Sequence, residues 1–223
     1  MISGNRNFIR RIALFGLLAV GLGACAIGNT YDYRAAAPKV NAALKDEGTV
    51  AVIDRRPYIL SGRKSANFVG LQRAGLGNPW NVKTTSGQPF ASDFQAVLVR
   101  SLQAAGMTIK PSNVPHSATK EAAIGTRARI PVNRSVLLIV REWKTDTYAR
   151  VTLHFDLELE VYDKGRLLAS KALKGVHAIG AAGLPSRVGI LAVSNAKSKI
   201  EQLINDPKIL DALRNDSASQ PIN

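Results

Sequence analysis

The sequence has 223 residues, a single cysteine, and 30 Lys and Arg against 16 Asp and Glu, for a formal charge of +14. That length suits one domain with a sizeable core. A lone cysteine excludes an internal disulfide, so folding must rest on burial, and the basic excess points to an anionic partner or to solubility alone. In chain order, Met1 to Arg11 holds Arg6, Arg10 and Arg11 and no acid, and an apolar run follows from Ile12 to Leu22. A basic start, a short apolar core and small residues before a cut site make a secretory signal peptide over 1–24. The apolar run is well short of the roughly 20 residues that span a bilayer as a helix.

The close of that run, Leu22-Gly23-Ala24-Cys25, resembles the lipobox of bacterial lipoproteins. The resemblance implies a diacylglycerol on the Cys25 sulfur, cleavage before Cys25 and acylation of the new N-terminus. Two or more acyl chains hold a protein in its leaflet where one holds it only weakly. Ala26, which is not the aspartate that retains such proteins on the inner membrane, implies the outer membrane facing the periplasm. Loss of the three leader arginines lowers the charge from +14 to +11. Beside an anionic envelope, that charge suits lipopolysaccharide or other phosphate-bearing lipid, cell-wall polymer, or an acidic protein. Export excludes nucleic acid as a partner.

Residues 25–47 read as a lipidated N-terminus and tether, and 48–214 as a single α/β domain. Thr49 to Ile53 is a short β-branched run and predicts a buried strand. Ser61 to Pro89 carries seven Gly and Pro with no period, interleaved with Arg63, Lys64, Phe68, Arg73 and Trp80. It reads as a long loop, functional or packed as cover over the sheet, with too many aromatic and apolar residues for simple disorder. A helix capped by Ser92 or Asp93 is expected to end at Gly106. Met107 to Ile109 begins a strand, and Lys110 to Arg129 is expected to be mostly loop. Ser135 to Val140 is the strongest buried run, extended through Trp143, with a turn over Lys144 to Tyr148.

From Val151 to Tyr162 apolar and polar residues alternate, which predicts a long strand with one wet face. Asp163-Lys164-Gly165 predicts a hairpin turn, and Leu167 to Ala178 the returning partner. Ser186 to about Leu203 predicts a helix, and Asp206-Pro207 caps a short terminal one. Residues 215–223 read as a loose tail. The expected architecture is α/β (α+β): an antiparallel-rich mixed sheet of four to five strands with two main helices, near Asp93 and Arg187, on one face.

No catalytic motif emerges. The three histidines, His116, His154 and His177, have no paired ligand spacing, so no metal and no cofactor is expected. Gly70 to Gly75 lacks dinucleotide-binding spacing. Asp156, Glu158 and Glu160 form a carboxylate row, read as a solvent face balanced by Arg141, Lys171 or Lys174. The candidate contact surface is Arg55, Arg56, Arg63, Lys64, Phe68, Arg73 and Trp80, since arginine forks suit phosphate or carboxylate.

The lipobox, the Val50 to Ile53 strand, the Ser92 to Gly106 helix, the Tyr148 to Ala178 hairpin and the Ile200 to Leu213 end together resemble the YajG-type lipoproteins of Gram-negative bacteria. The resemblance covers most of the chain after Cys25, although the Ser61 to Trp80 stretch is longer here. It implies an outer-membrane lipoprotein without a defined activity. The layout also resembles accessory lipoproteins that aid lipopolysaccharide export, ABC transporters or cell-wall synthases, which share no single job. The expected function is therefore a non-enzymatic lipoprotein that binds or assists an envelope partner. The alternative is a binding module for an anionic envelope component, such as lipopolysaccharide or cell-wall polymer.

Overall fold

A computed structural model describes residues 29–73, 79–128 and 134–214; the signal peptide, Cys25 and the 215–223 tail lie outside the described residues. The strands are β1 (Thr30–Tyr31), β2 (Glu47–Asp54), β3 (Phe68–Arg73), β4 (Pro79–Thr84), β5 (Thr108–Pro111), β6 (Arg134–Thr147), β7 (Arg150–Asp163) and β8 (Arg166–Ala181). The helices are α1 (Pro57–Leu60), α2 (Phe90–Ala104), α3 (Lys120–Ala128), α4 (Pro185–Ile204) and α5 (Pro207–Arg214).

β6 is the spine. Along one edge it pairs antiparallel with β7 over Arg134 to Thr147, and β7 pairs with β8. Along the other edge it pairs first with β2, through Arg134 to Val140, and then with β3, through Thr145 to Thr147. Both of those pairings are parallel. β5 extends β2, while β4 and then β1 extend β3. The sheet thus has eight strands among the described residues, against the four to five expected, and four of its seven pairings are parallel.

The unbroken apolar run of β2 has its cause in this arrangement, since a strand covered on both faces has no reason to alternate. Val50 and Val52 join the main core, while Ala51 and Ile53 join a second cluster with Leu137, Ile139 and Ala123. The main core lies under α2, α4 and α5, which agrees with the two main helices expected on one face. The second cluster is covered by α3, in the stretch read mainly as loop. The apolar set of β7 is as expected: Val151, Leu153, Phe155, Leu157, Leu159 and Val161 are buried in the main core. The face expected to be wet is covered at its far end, where Glu160 and Tyr162 are buried and Tyr162 joins the second cluster with Ala123 of α3. The hairpin turn also holds, with Lys164 and Gly165 both at positive φ, 48° and 86°. That is the primed geometry whose twist matches the flanking strands.

Three local expectations change. The turn expected over Lys144 to Tyr148 is strand as far as Thr147, which pairs with Val151, so that stretch turns only at its end. α2 starts at Phe90 rather than after a Ser92 or Asp93 cap. Asp93 sits buried in the first turn and accepts hydrogen bonds from Ser86 (2.8 Å) and Arg34 (2.7 Å), where a carboxylate also favours the helix dipole. The glycine-rich stretch forms the β3–β4 hairpin and not one long loop. Gly70 shows why glycine is needed there: a Cβ on it would lie 2.2 Å from Thr145 Oγ1, on the strand β3 pairs with.

Part of the segment assigned to a tether packs into the domain. Tyr31, Tyr33, Ala36 and Leu44 are buried. The Tyr33 ring meets Phe90, Phe94 and Trp143 edge-on at 5.0 to 5.9 Å, and its hydroxyl accepts a hydrogen bond from Trp143 Nε1 at 2.9 Å.

Candidate functional site

β2 ends at Asp54, and two residues on comes Arg56, read from the sequence as part of the contact surface. The structure buries both, with Arg56 fully enclosed at 0% exposure. Asp54 Oδ1 and Oδ2 accept from Arg56 Nε and Nη2 at 2.8 and 2.7 Å. Nη1 donates to the carbonyls of Phe68 (2.7 Å) and Trp143 (3.1 Å), and Nη2 also reaches the Ala66 carbonyl at 3.4 Å. Every N–H of the guanidinium therefore has an acceptor. Burial alone would lower the Arg56 pKa, but the hydrogen bonds and charge of Asp54 outweigh it and raise it. This side chain ties β2, the approach to β3 and β6 together, and it is unavailable to a partner.

The other proposed contact residues are dispersed. Phe68 is buried, in edge contact with Tyr58 at 5.5 Å. Arg55 donates to the Ser117 and Ala118 carbonyls at 3.1 and 3.3 Å. Lys64 donates to Asn81 at 2.6 Å, and Arg63 is exposed beside Ser61. Arg73 forks onto Asp146 at 2.9 and 2.7 Å. Trp80 is open at 59% exposure. Paired residues of neighbouring strands share a face, so Trp80 sides with Gln72, and Arg73 points from the opposite face. Cys25 lies outside the described residues.

The carboxylate row of β7, read as a solvent face, is half-buried at Asp156 and Glu158 and fully buried at Glu160, and its charges are matched. Arg141 contacts Glu158 at 2.5 Å and Asp156 at 3.8 Å, Lys174 contacts Asp156 at 3.2 Å, and Lys120 contacts Glu160 at 2.5 Å. Burial pushes the Glu158 carboxyl up, but hydrogen bonds from Arg141 and Ser170 outweigh it and bring it below its ordinary value. Arg141 and Lys174 act as expected, whereas Lys171 reaches Asp206 at 2.9 Å instead, at the start of α5. Among the described residues no group of His, Cys, Asp and Glu could hold a metal ion. His116 is a structural pin between the Val52 carbonyl (2.7 Å) and Ser92 Oγ (2.9 Å).

Two clefts remain. One, of about 550 Å³, opens at the β6–β7 turn and is lined by Arg73, Asp146, Tyr148, Arg150 and His154. Burial, then the charge of Lys144, pushes the His154 pKa down, so this imidazole stays neutral near pH 7. The Arg73 hydrogen bonds hold the Asp146 carboxyl below its ordinary value. A depressed carboxylate pKa contributes stability above the unfolded-state value, and that contribution disappears as pH falls and the folded state protonates. The stability difference between wild type and Asp146→Asn is therefore expected to shrink as pH drops through about 4, read by urea unfolding at several pH values.

The second cleft, of about 430 Å³, lies between the entering chain and α4, lined by Tyr31, Ala35, Ala36, Gly189, Ile190 and Val193. Sequence reasoning missed Tyr148 and Arg150, which meet Arg73 in one cleft, and Ile190, which meets Tyr31 in the other, because the fold alone makes those juxtapositions. Exposed Leu184, directly before Pro185, had a local signal, an apolar residue at a helix start.

The class defined by these features is a mixed α+β domain: a curled sheet with helices over its core, and a row of matched charge on its other face. The same fold occurs in a Xanthomonas campestris protein of family DUF330, with TM-score 0.50 and 12% identity over 78% of this chain and 94% of that one. Weaker likeness, TM-score 0.39, relates it to PelC of Paraburkholderia phytofirmans, solved as a dodecamer, at 14% identity over 81% of this chain and 95% of that one. Lipoprotein GNA1162 of Neisseria meningitidis matches at TM-score 0.38 and 13% identity, over 71% and 99%. No protein-family model matches the sequence, and neither does any curated protein.

Proposed function

We propose that this chain is a non-enzymatic lipoprotein, anchored through Cys25 in the Gram-negative outer membrane and facing the periplasm, whose domain assists an envelope protein. The observation that carries this reading is Leu22-Gly23-Ala24-Cys25 directly behind a basic and then apolar leader, with Ala26 following. The order of elements, similar to the YajG-type lipoproteins, agrees with it. The non-enzymatic part is supported by the charged face, whose carboxylates are held in ion pairs with Arg141, Lys174 and Lys120. Among the described residues no helix is long and apolar enough to cross a membrane.

The test is metabolic labelling with a palmitate analogue, followed by separation of inner and outer membranes. The wild-type chain is expected to carry label and to fractionate with the outer membrane. Cys25→Ala is expected to lose both. Label retained on Cys25→Ala protein would overturn the reading.

A further inference from the structure

We propose that the end of the domain at which the chain enters is a docking surface for the anionic phospholipid headgroups of the leaflet that holds the anchor. This deepens the reading above and rests on lipidation of Cys25.

Reach comes first. Thr30 and Tyr31 are fixed to β4, and Tyr31 is buried. Only five peptide units separate Cys25 from Thr30, which even fully extended reach no more than about 18 Å. An anchored domain therefore stays against the leaflet, and one of its surfaces must face it.

Topology identifies that surface. β1 runs parallel to β4 with Thr30 opposite Lys83, so the chain arrives from the Pro79 end of β4. Gln72 pairs with Trp80 on one side and Thr147 on the other, which places Trp80 near the β6–β7 turn. The Ala182 amide bonds the Ala149 carbonyl at 3.3 Å and brings the start of α4 to that same turn. The first turns of α4 close against the entering chain, with the Gly189 Cα facing the Tyr31 ring. Of the seven large apolar side chains exposed among the described residues, three stand at this end: Trp80 (59%), Tyr148 (59%) and Leu184 (75%). A fourth, Ile190 (70%), lines the cleft further along the entering chain, beside Tyr31 and Thr85.

Charge completes the match. Arg150 and Arg187 are exposed at this end and form no ion pair among the described residues. Asp146 is already neutralised by Arg73, which leaves Asp32 outnumbered. Aromatic rings and aliphatic side chains beside arginines are what a headgroup layer takes: rings and methyls enter the acyl boundary, and guanidinium groups meet phosphate.

The experiment uses the full acylated chain reconstituted in vesicles of phosphatidylethanolamine and phosphatidylglycerol whose acyl chains are brominated. Emission is compared with that of Trp80→Phe, which isolates the signal of Trp80 from that of buried Trp143. Brominated chains are expected to cut the Trp80 emission roughly twofold or more. Arg150→Gln with Arg187→Gln, or a change to phosphatidylcholine alone, is expected to weaken that quenching. Full Trp80 emission from protein that still floats with the vesicles would overturn the docking surface and leave the anchor standing. Emission insensitive to bromine but altered by added envelope proteins would assign the surface to a protein instead. Protein that neither floats nor carries acyl mass on Cys25 would overturn the lipoprotein reading itself.

Discussion

Arg56→Ala is expected to destabilise the fold by about 3–5 kcal/mol, the cost of leaving a buried carboxylate without its partner. Asp54 would keep its burial and lose both guanidinium contacts, and the carbonyls of Phe68 and Trp143 would lose their donor. The charge matters less than its abandonment. Removing both partners together, as Asp54→Leu with Arg56→Met, is expected to recover much of the loss, because a well-packed apolar pair often replaces a buried ion pair without penalty. Urea unfolding of the two single variants and the double closes the cycle. A loss below about 1 kcal/mol in Arg56→Ala would place the pair among solvent-screened contacts and contradict its enclosure.

Tyr33→Ala is expected to cost a comparable amount, about 3–5 kcal/mol, as for other large aromatic side chains removed from a packed core. The ring stands among Phe90, Phe94 and Trp143, and no neighbour is free to fill its place. Tyr33→Phe separates the ring from its hydroxyl. It leaves Trp143 Nε1 as a buried donor without an acceptor and is expected to cost about 1–3 kcal/mol. Thermal unfolding of the two variants reads both effects. If both were near neutral, residues 29–36 would be dispensable to the domain.

Local chemistry accounts for what was legible in the sequence. The apolar set of β7, the apolar run of β6 and the Asp163-Lys164-Gly165 turn are signals carried within a few residues, and each matches its structure. The burial of Glu160 and Tyr162 on the other face of β7 is not such a signal, because the cover comes from α3. Parallel pairing leaves no such trace. That β2 and β3 share one edge of β6 is decided across gaps of scores of residues, so the strand count was low and the sheet was expected to be more antiparallel. Arg56 illustrates a different blindness: composition treats arginine as surface, and only the fold brings five acceptors around it. Tyr31 and Tyr33, in polar company beside the leader, looked like tether for the same reason. The exposed end of the domain draws on β4, the β6–β7 turn and α4, and no window of sequence contains it.

The way the chain enters also sets how the domain bears load. A pull on the N-terminus runs along β1, so it shears the hydrogen bonds that Asn29 and Tyr31 make with Lys83 and Thr85 instead of peeling them one by one. Behind that short strand, Tyr31 and Tyr33 are seated in the core like stoppers on a cord. Tension from the outside must drag two aromatic rings through packed side chains before it can unravel anything else, and the chain end nearest the leader becomes the domain's mechanical clamp.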